Sequence, residues 1–109
     1  MVPSFNDIKL GDQIGPVDKV ATDRAVRDFC EVWGQPTDSR FTDDEIARST
    51  GLRSAMVPGV MNMAYMAQVL SHWSGGGVVK RLEVVFRQVV FHNEPLRIIG
   101  VVTDKELVQ

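Results

Sequence analysis

Side chains able to do chemistry are few in this chain. Its 109 residues include one cysteine, Cys30, and two histidines, His72 and His92. No histidines and carboxylates stand at metal-ligand spacing, so no metal is predicted. Cys30 falls in the stripe Val26, Phe29, Cys30, Trp33, the i, i+3, i+4, i+7 pattern of a buried helix face, where a free thiol reads as core filler before nucleophile. A lone cysteine also excludes an internal disulfide. His72 lies near the end of an apolar helix, where the dipole favours a cation. His92 sits in the turn His92-Asn93-Glu94-Pro95 and reads as solvent-facing. Pro58-Gly59 opens that helix, and the unpaired N–H groups and dipole of a helix start favour negative charge. Asn62 is the polar residue of the first turn.

The elements that must position these groups follow from pattern. Proline and glycine open the run Val57–Trp73, Gly75-Gly76-Gly77 close it, and apolar residues between them fall on nearly every face, as in a helix wrapped by other structure. Asn62, Gln68, Ser71 and His72 interrupt it too often for a membrane span. Upstream, Lys9-Leu10-Gly11-Asp12 is a turn and Ile14–Val20 a strand. Thr22 or Asp23 caps a helix that Gly34 ends. Thr42-Asp43-Asp44-Glu45 reads as a capping box with Thr42 as the cap of a short helix over about 43–49, stopped at Gly51. Downstream, Val78–Thr103 reads as sheet. Leu82, Val84 and Phe86 alternate with charged residues, the phase slips near Gln88, where a bend is predicted, and Leu96–Thr103 forms the next strand. The expected fold is α+β: a curved antiparallel sheet of three to four strands around a long central helix, in a single domain over 1–109.

Composition narrows the function classes. Twelve basic and 14 acidic residues give a net charge of −2 without a basic run, so neither nucleic acid nor an anionic membrane has electrostatic support. Met1–Asp7 lacks the basic and apolar regions of a secretory signal, giving a cytoplasmic expectation. A chain of this length has a modest surface-to-volume margin, which favours oligomerisation.

The ordered pieces Phe5-Asn6-Asp7-Ile8-Lys9-Leu10-Gly11-Asp12, the Phe29–Gly34 helix end, Val57-Pro58-Gly59 and Val84–Phe91 together resemble MaoC-like dehydratases, the (R)-specific enoyl-CoA hydratase branch of the hot-dog fold. In that family a motif G-D-x-N-P-(L/I)-H followed by x-D-x-x-x-A supplies an aspartate and a histidine that add water across a 2-enoyl thioester. An amide at the start of the central helix polarises the thioester oxygen. The resemblance places Gly59 at the oxyanion glycine and matches Asp43 and Ala47 to D-x-x-x-A. The same alignment puts Phe41 where the histidine belongs, and Gln35 or Pro36 where the aspartate belongs. Phenylalanine carries no proton, and glutamine is no base near neutral pH.

The resemblance therefore implies a MaoC-like hydratase/dehydratase subunit, degenerate in its acid/base pair and working beside a catalytic partner. The implied ligand is an acyl-CoA or acyl-carrier-protein thioester, with no cofactor. Partnership with a related MaoC-like subunit, in a homo- or hetero-oligomer, is implied as well. The implied substrate-binding residues are Pro58, Gly59, Val60, Asn62 and Arg40, whose guanidinium could position thioester phosphates. Asp38 in the same loop is the catalytic candidate, against a turn-stabilising role. Tyr65, Met61, Met63 and Met66 could line an acyl tunnel or simply pack the core. Two alternatives stay open: a free-standing divergent hydratase that uses Asp38, and a non-catalytic acyl-thioester-binding module.

Overall fold

Helix α1, Asp23–Trp33, begins where Thr22 leaves extended geometry and its hydroxyl accepts from the Ala25 N–H at 3.1 Å. It ends at Gly34, whose φ of 83° closes the last turn in the left-handed region. These features come from a computed structural model that describes residues 4–36 and 38–107. Val26 and Cys30 are buried on one face of α1 as the spacing requires, while Trp33 at its end stays partly open.

Helix α2, Asp44–Ser49, is capped by Asp43, which accepts from the Ile46 N–H at 3.0 Å. The cap is therefore one residue later than the capping-box reading placed it. Thr42 is engaged in the preceding loop, where its hydroxyl accepts from the Ser39 N–H at 3.2 Å. Helix α3, Gly59–Trp73, is the longest element at 15 residues.

Strand β1, Gln13–Val20, pairs antiparallel with β2, Pro95–Val101, running from Gln13 opposite Val101 to Val20 opposite Pro95. Asp18 and Arg97 face each other in this ladder, Arg97 Nε donating to Asp18 Oδ1 at 2.9 Å. Among the described residues these two strands form the whole sheet. That corrects the expectation of three to four strands curving around α3. Residues 78–90 bend at 88 as the phase slip predicted, but they form no ladder, and directly after them Phe91 makes one isolated bridge, to Met56. Alternation fixes an extended backbone; a strand needs a neighbouring edge as well.

α3 is likewise not enclosed on every side. β1 packs against it, and Met61, Asn62 and Val69 are buried, but Val60, Ala64, Gln68 and His72 form an exposed stripe at i, i+4 spacing. Gln68 on that stripe accepts from Lys19 Nζ at 2.9 Å.

The core gathers elsewhere. Ala21, Val26, Cys30, Phe41, Val57 and Met61 form one buried cluster, to which Phe29, Tyr65 and Val90 add partly buried surface. Burial raises the Cys30 thiol and the Tyr65 phenol above their usual titration ranges. The radius of gyration is 16.6 Å, against about 13 Å for a compact chain of this length.

Candidate functional site

The site forms where three segments meet: the loop after α1, the approach to α3, and the extended chain around 86–90. The approach is held from both sides. The Val57 N–H donates to the Val90 carbonyl at 2.8 Å, and the Met56 N–H donates to the Arg40 carbonyl at 3.1 Å. Pro58, fully buried, then starts α3, and its carbonyl accepts from the Met61 and Asn62 N–H groups at 3.0 and 3.2 Å. Among the described residues the Gly59 and Val60 amides have no backbone acceptor, as the first turn of a helix dictates.

His92 stiffens this arrangement from below. Its side chain is only 9% exposed, which corrects the solvent-facing reading. Nδ1 lies 2.8 Å from Asp23 Oδ1 and Nε2 lies 3.3 Å from the Met56 carbonyl oxygen. A carboxylate only accepts, so Nδ1 carries a proton toward Asp23; the Met56 carbonyl is an acceptor too, and Nε2 bonds it only with a proton of its own. The bond from His92, joined by one from Asn93 Nδ2, holds the Asp23 carboxyl below the usual carboxylate range. The turn is locked in place by the Asn93 N–H, which donates to the Ala21 carbonyl at 2.8 Å, and by the φ of 63° that Asn93 adopts. Turn composition alone conceals this clamp, since its partner lies 69 residues away.

A cleft of about 450 Å³ opens over the helix start. Arg40, Gly59, Val60 and Asn62 line it together with Phe41 and Phe86, so most of the residues proposed from sequence converge there. Pro58 lies beneath them in the core, and Asp38 is exposed in the loop and does not line the cleft. Phe41 is buried, its ring 6.0 Å from that of Trp33 and 4.7 Å from the Arg40 guanidinium. Arg40 and Arg87 are the ionisable side chains among the described lining residues, and guanidinium holds anions without exchanging a proton at neutral pH.

Two features escaped the sequence reading. Phe86 lies over the helix start, so close that a Cβ on Gly59 would come within 2.9 Å of its ring. Asn62 is 8% exposed, and its Oδ1 has no hydrogen-bond partner among the described residues. It also lines a second cleft of about 300 Å³ between residues 84–90 and β2.

Comparison with solved structures decides the family. A MaoC-like dehydratase is similar at 30% identity over 68% of this chain, with a TM-score of 0.62. The chain is MaoC-like. It spans 22% of that dehydratase's length. A second structure, the monoamine oxidase regulatory protein from Archaeoglobus fulgius, matches 99% of the MaoC-like chain and 75% of its own, at a TM-score of 0.79 and 16% identity, which speaks for the fold. The neighbours are thus hot-dog-like, and the α+β class of the MaoC-like chain agrees with them. No protein-family model and no curated protein matches. No described helix is long and apolar enough to cross a membrane.

Proposed function

We propose that this MaoC-like chain binds an acyl thioester at the start of α3 and completes the site of a partner subunit that carries the acid/base pair. The observation behind this reading is one cleft whose described lining residues offer binding groups and no proton carrier for neutral pH. The Gly59 and Val60 amides can hold a thioester oxygen as charge develops on it, and Arg40 and Arg87 offer guanidiniums to the phosphates of an acyl carrier. Where the resemblance puts the family's histidine, the buried Phe41 ring fills the core.

Exposed surface supports the partner. The chain leaves 7973 Å² accessible, whereas a compact monomer of 12.1 kDa exposes about 6,000 Å². The excess is of the size one side of a large, stable interface buries. Val78, Val85 and Phe86 in the unladdered segment, with Ile99 and Val101 on β2, carry apolar area for such a contact. A related MaoC-like subunit that pairs with this segment would extend the sheet and surround α3.

The test is hydration of a short 2-enoyl-CoA by the purified chain, run beside Asp38→Asn. The expected result is acyl-CoA binding without turnover in either protein, with turnover only on addition of a MaoC-like subunit that carries the intact motif. Turnover by the chain alone that disappears in Asp38→Asn would overturn the reading, because an exposed loop carboxylate would then be doing the chemistry. Absence of acyl-CoA binding, alone and with such a subunit, would reduce the chain to a structural module.

A further inference from the structure

The far end of α3 carries polar groups that the helix start does not use. A cleft of about 310 Å³ lies there, between β1 and the C-terminal turns of the helix. His72 in its lining stands about 20 Å along the axis from Gly59, so this cleft is separate from the one over the helix start. Its floor is apolar: Val17 comes from β1, and Val69 and Trp73 from one stripe of α3. The register shift between Ile14 and Val17 interrupts the ladder beside it, as bulges commonly do next to binding sites. Val17 and Lys19 share the face of β1 turned to α3, whereas Asp18 between them belongs to the other face and is taken by Arg97. Lys19 therefore reaches the helix without a carboxylate to meet it. Its Nζ donates to Gln68 Oε1 at 2.9 Å and stands 5.8 Å from the centre of the Tyr65 ring. Among the described residues Lys19 makes no ion pair, and none of the described lining residues is acidic.

We propose that this cleft binds a small apolar monocarboxylate, with the carboxylate on Lys19 and the hydrocarbon body against Trp73. The polar side chains fit that anion. The Lys19 ammonium keeps two donors after its bond to Gln68, Gln68 has its N–H groups left once Oε1 is engaged, and His72 adds a ring N–H one turn further along the same stripe. All three donate, and a carboxylate offers only acceptors. A single fixed positive charge matches a monoanion, whereas a phosphate dianion asks for arginine or a second fixed cation, which the described lining lacks. Trp73 supplies a flat apolar wall, and burial against it and the two valines holds the body of the ligand. Binding here needs nothing from the helix start, so it stands or falls apart from the acyl-thioester reading.

The experiment titrates phenylacetate and hexanoate, a ring and a chain with the same carboxylate, into Trp33→Phe, where Trp73 is the remaining tryptophan, and follows its fluorescence. Both should give saturable changes, and the tighter of the two tells whether the preferred body is a ring or a chain. Phenylacetamide, the neutral isostere, should bind about tenfold more weakly. Lys19→Met should cost phenylacetate about tenfold while leaving phenylacetamide unchanged, as loss of one charge-assisted contact implies. If Trp33→Phe fails to fold by circular dichroism, calorimetry on the native chain makes the same ligand comparison, and Lys19→Gln replaces Lys19→Met on the same criterion. Absence of a saturable signal with either acid would overturn the proposal. Equal affinity for acid and amide would also overturn it, since the cleft would then be an apolar groove without a role for Lys19. So would inorganic phosphate binding as tightly as phenylacetate, because the site would then hold anions without regard to the carboxylate or its body.

Discussion

Two apolar regions of this molecule have opposite fates. The segment that joins α1, the approach to α3 and the 91–94 turn buries Val26, Cys30 and Val57 almost completely and ties the chain together through His92, Asp23 and the Met56 carbonyl. Residues 78–90, with a Val- and Phe-rich sequence, leave Val85 76% and Phe86 54% exposed. Hydrophobicity is similar in the two; what separates them is a second surface. The first region closes on itself, while the second has β2 beside it across an open cleft and no ladder to join them. Apolar sequence thus sets which residues should leave water, and the arrangement of neighbouring elements sets whether one chain suffices for it.

The comparison can be broken most forcefully in the anchored region. His92→Ala should destabilise the chain by about 1–3 kcal/mol, chiefly because it empties the space of a ring that is only 9% exposed, with the lost bond to the exposed Asp23 carboxylate adding little. Urea unfolding measures the loss, which should be accompanied by weaker acyl-CoA binding as Met56 to Gly59 loosens. A smaller effect belongs to the border between the regions. In Gly59→Ala the new methyl must push the Phe86 ring aside, and because that ring is half in water the cost should be about 1 kcal/mol. Phe86→Ala in the same background should restore stability.

The anchored region should also carry a modest acid sensitivity. The folded-state pKa of Asp23 is depressed, so its contribution is complete above the unfolded carboxylate value, about pH 3.9, and fades as pH falls through the folded one. Asp23→Asn should therefore lower stability near neutral pH and narrow its gap to the native chain in strong acid, as thermal melts across pH 2–6 would show. The side chain is largely exposed, and the difference should be small. Smallest of all should be the effect of Val85→Ser on unfolding of the isolated chain, within about 0.5 kcal/mol. If the open region is an interface, the same substitution should weaken assembly in sedimentation velocity, which sharpens the contrast.

Local signals in the sequence carried far. Of the two residues read as caps for α1 Thr22 is the one used, Gly34 ends that helix, the Pro58-Gly59 pair marked the start of α3, and the β1 and β2 runs read as strands. Each of these is decided within a few residues by backbone geometry or capping. What stayed hidden depends on distant neighbours. His92 looked exposed because turns usually are, and its burial rests on Asp23 far back in the chain. The stripe Val60, Ala64, Gln68, His72 lies open although apolar residues fall on nearly every face of the run, because a pattern of residue types does not say which faces a neighbour will cover. The cleft was legible in Gly59, Asn62 and Arg40, which converge on it, whereas the orphaned oxygen of Asn62 could emerge only once its surroundings were known.

The pairing of β1 with β2 has a kinetic corollary. Their contacts span most of the chain, with Asp18 and Arg97 separated by 79 residues. Closing a loop of that length costs about 4 kcal/mol of chain entropy beyond the constant term, and among the described residues the only bridge nearer in sequence is the single one between Met56 and Phe91. The helices can form on their own in microseconds, whereas the sheet must wait for its two ends to meet. Folding should therefore be slow for so small a protein, with a transition state governed by this closure. Until it happens, the Val- and Phe-rich stretch between the helices and β2 is unfolded chain in water, and the time a nascent molecule spends there sets its exposure to aggregation.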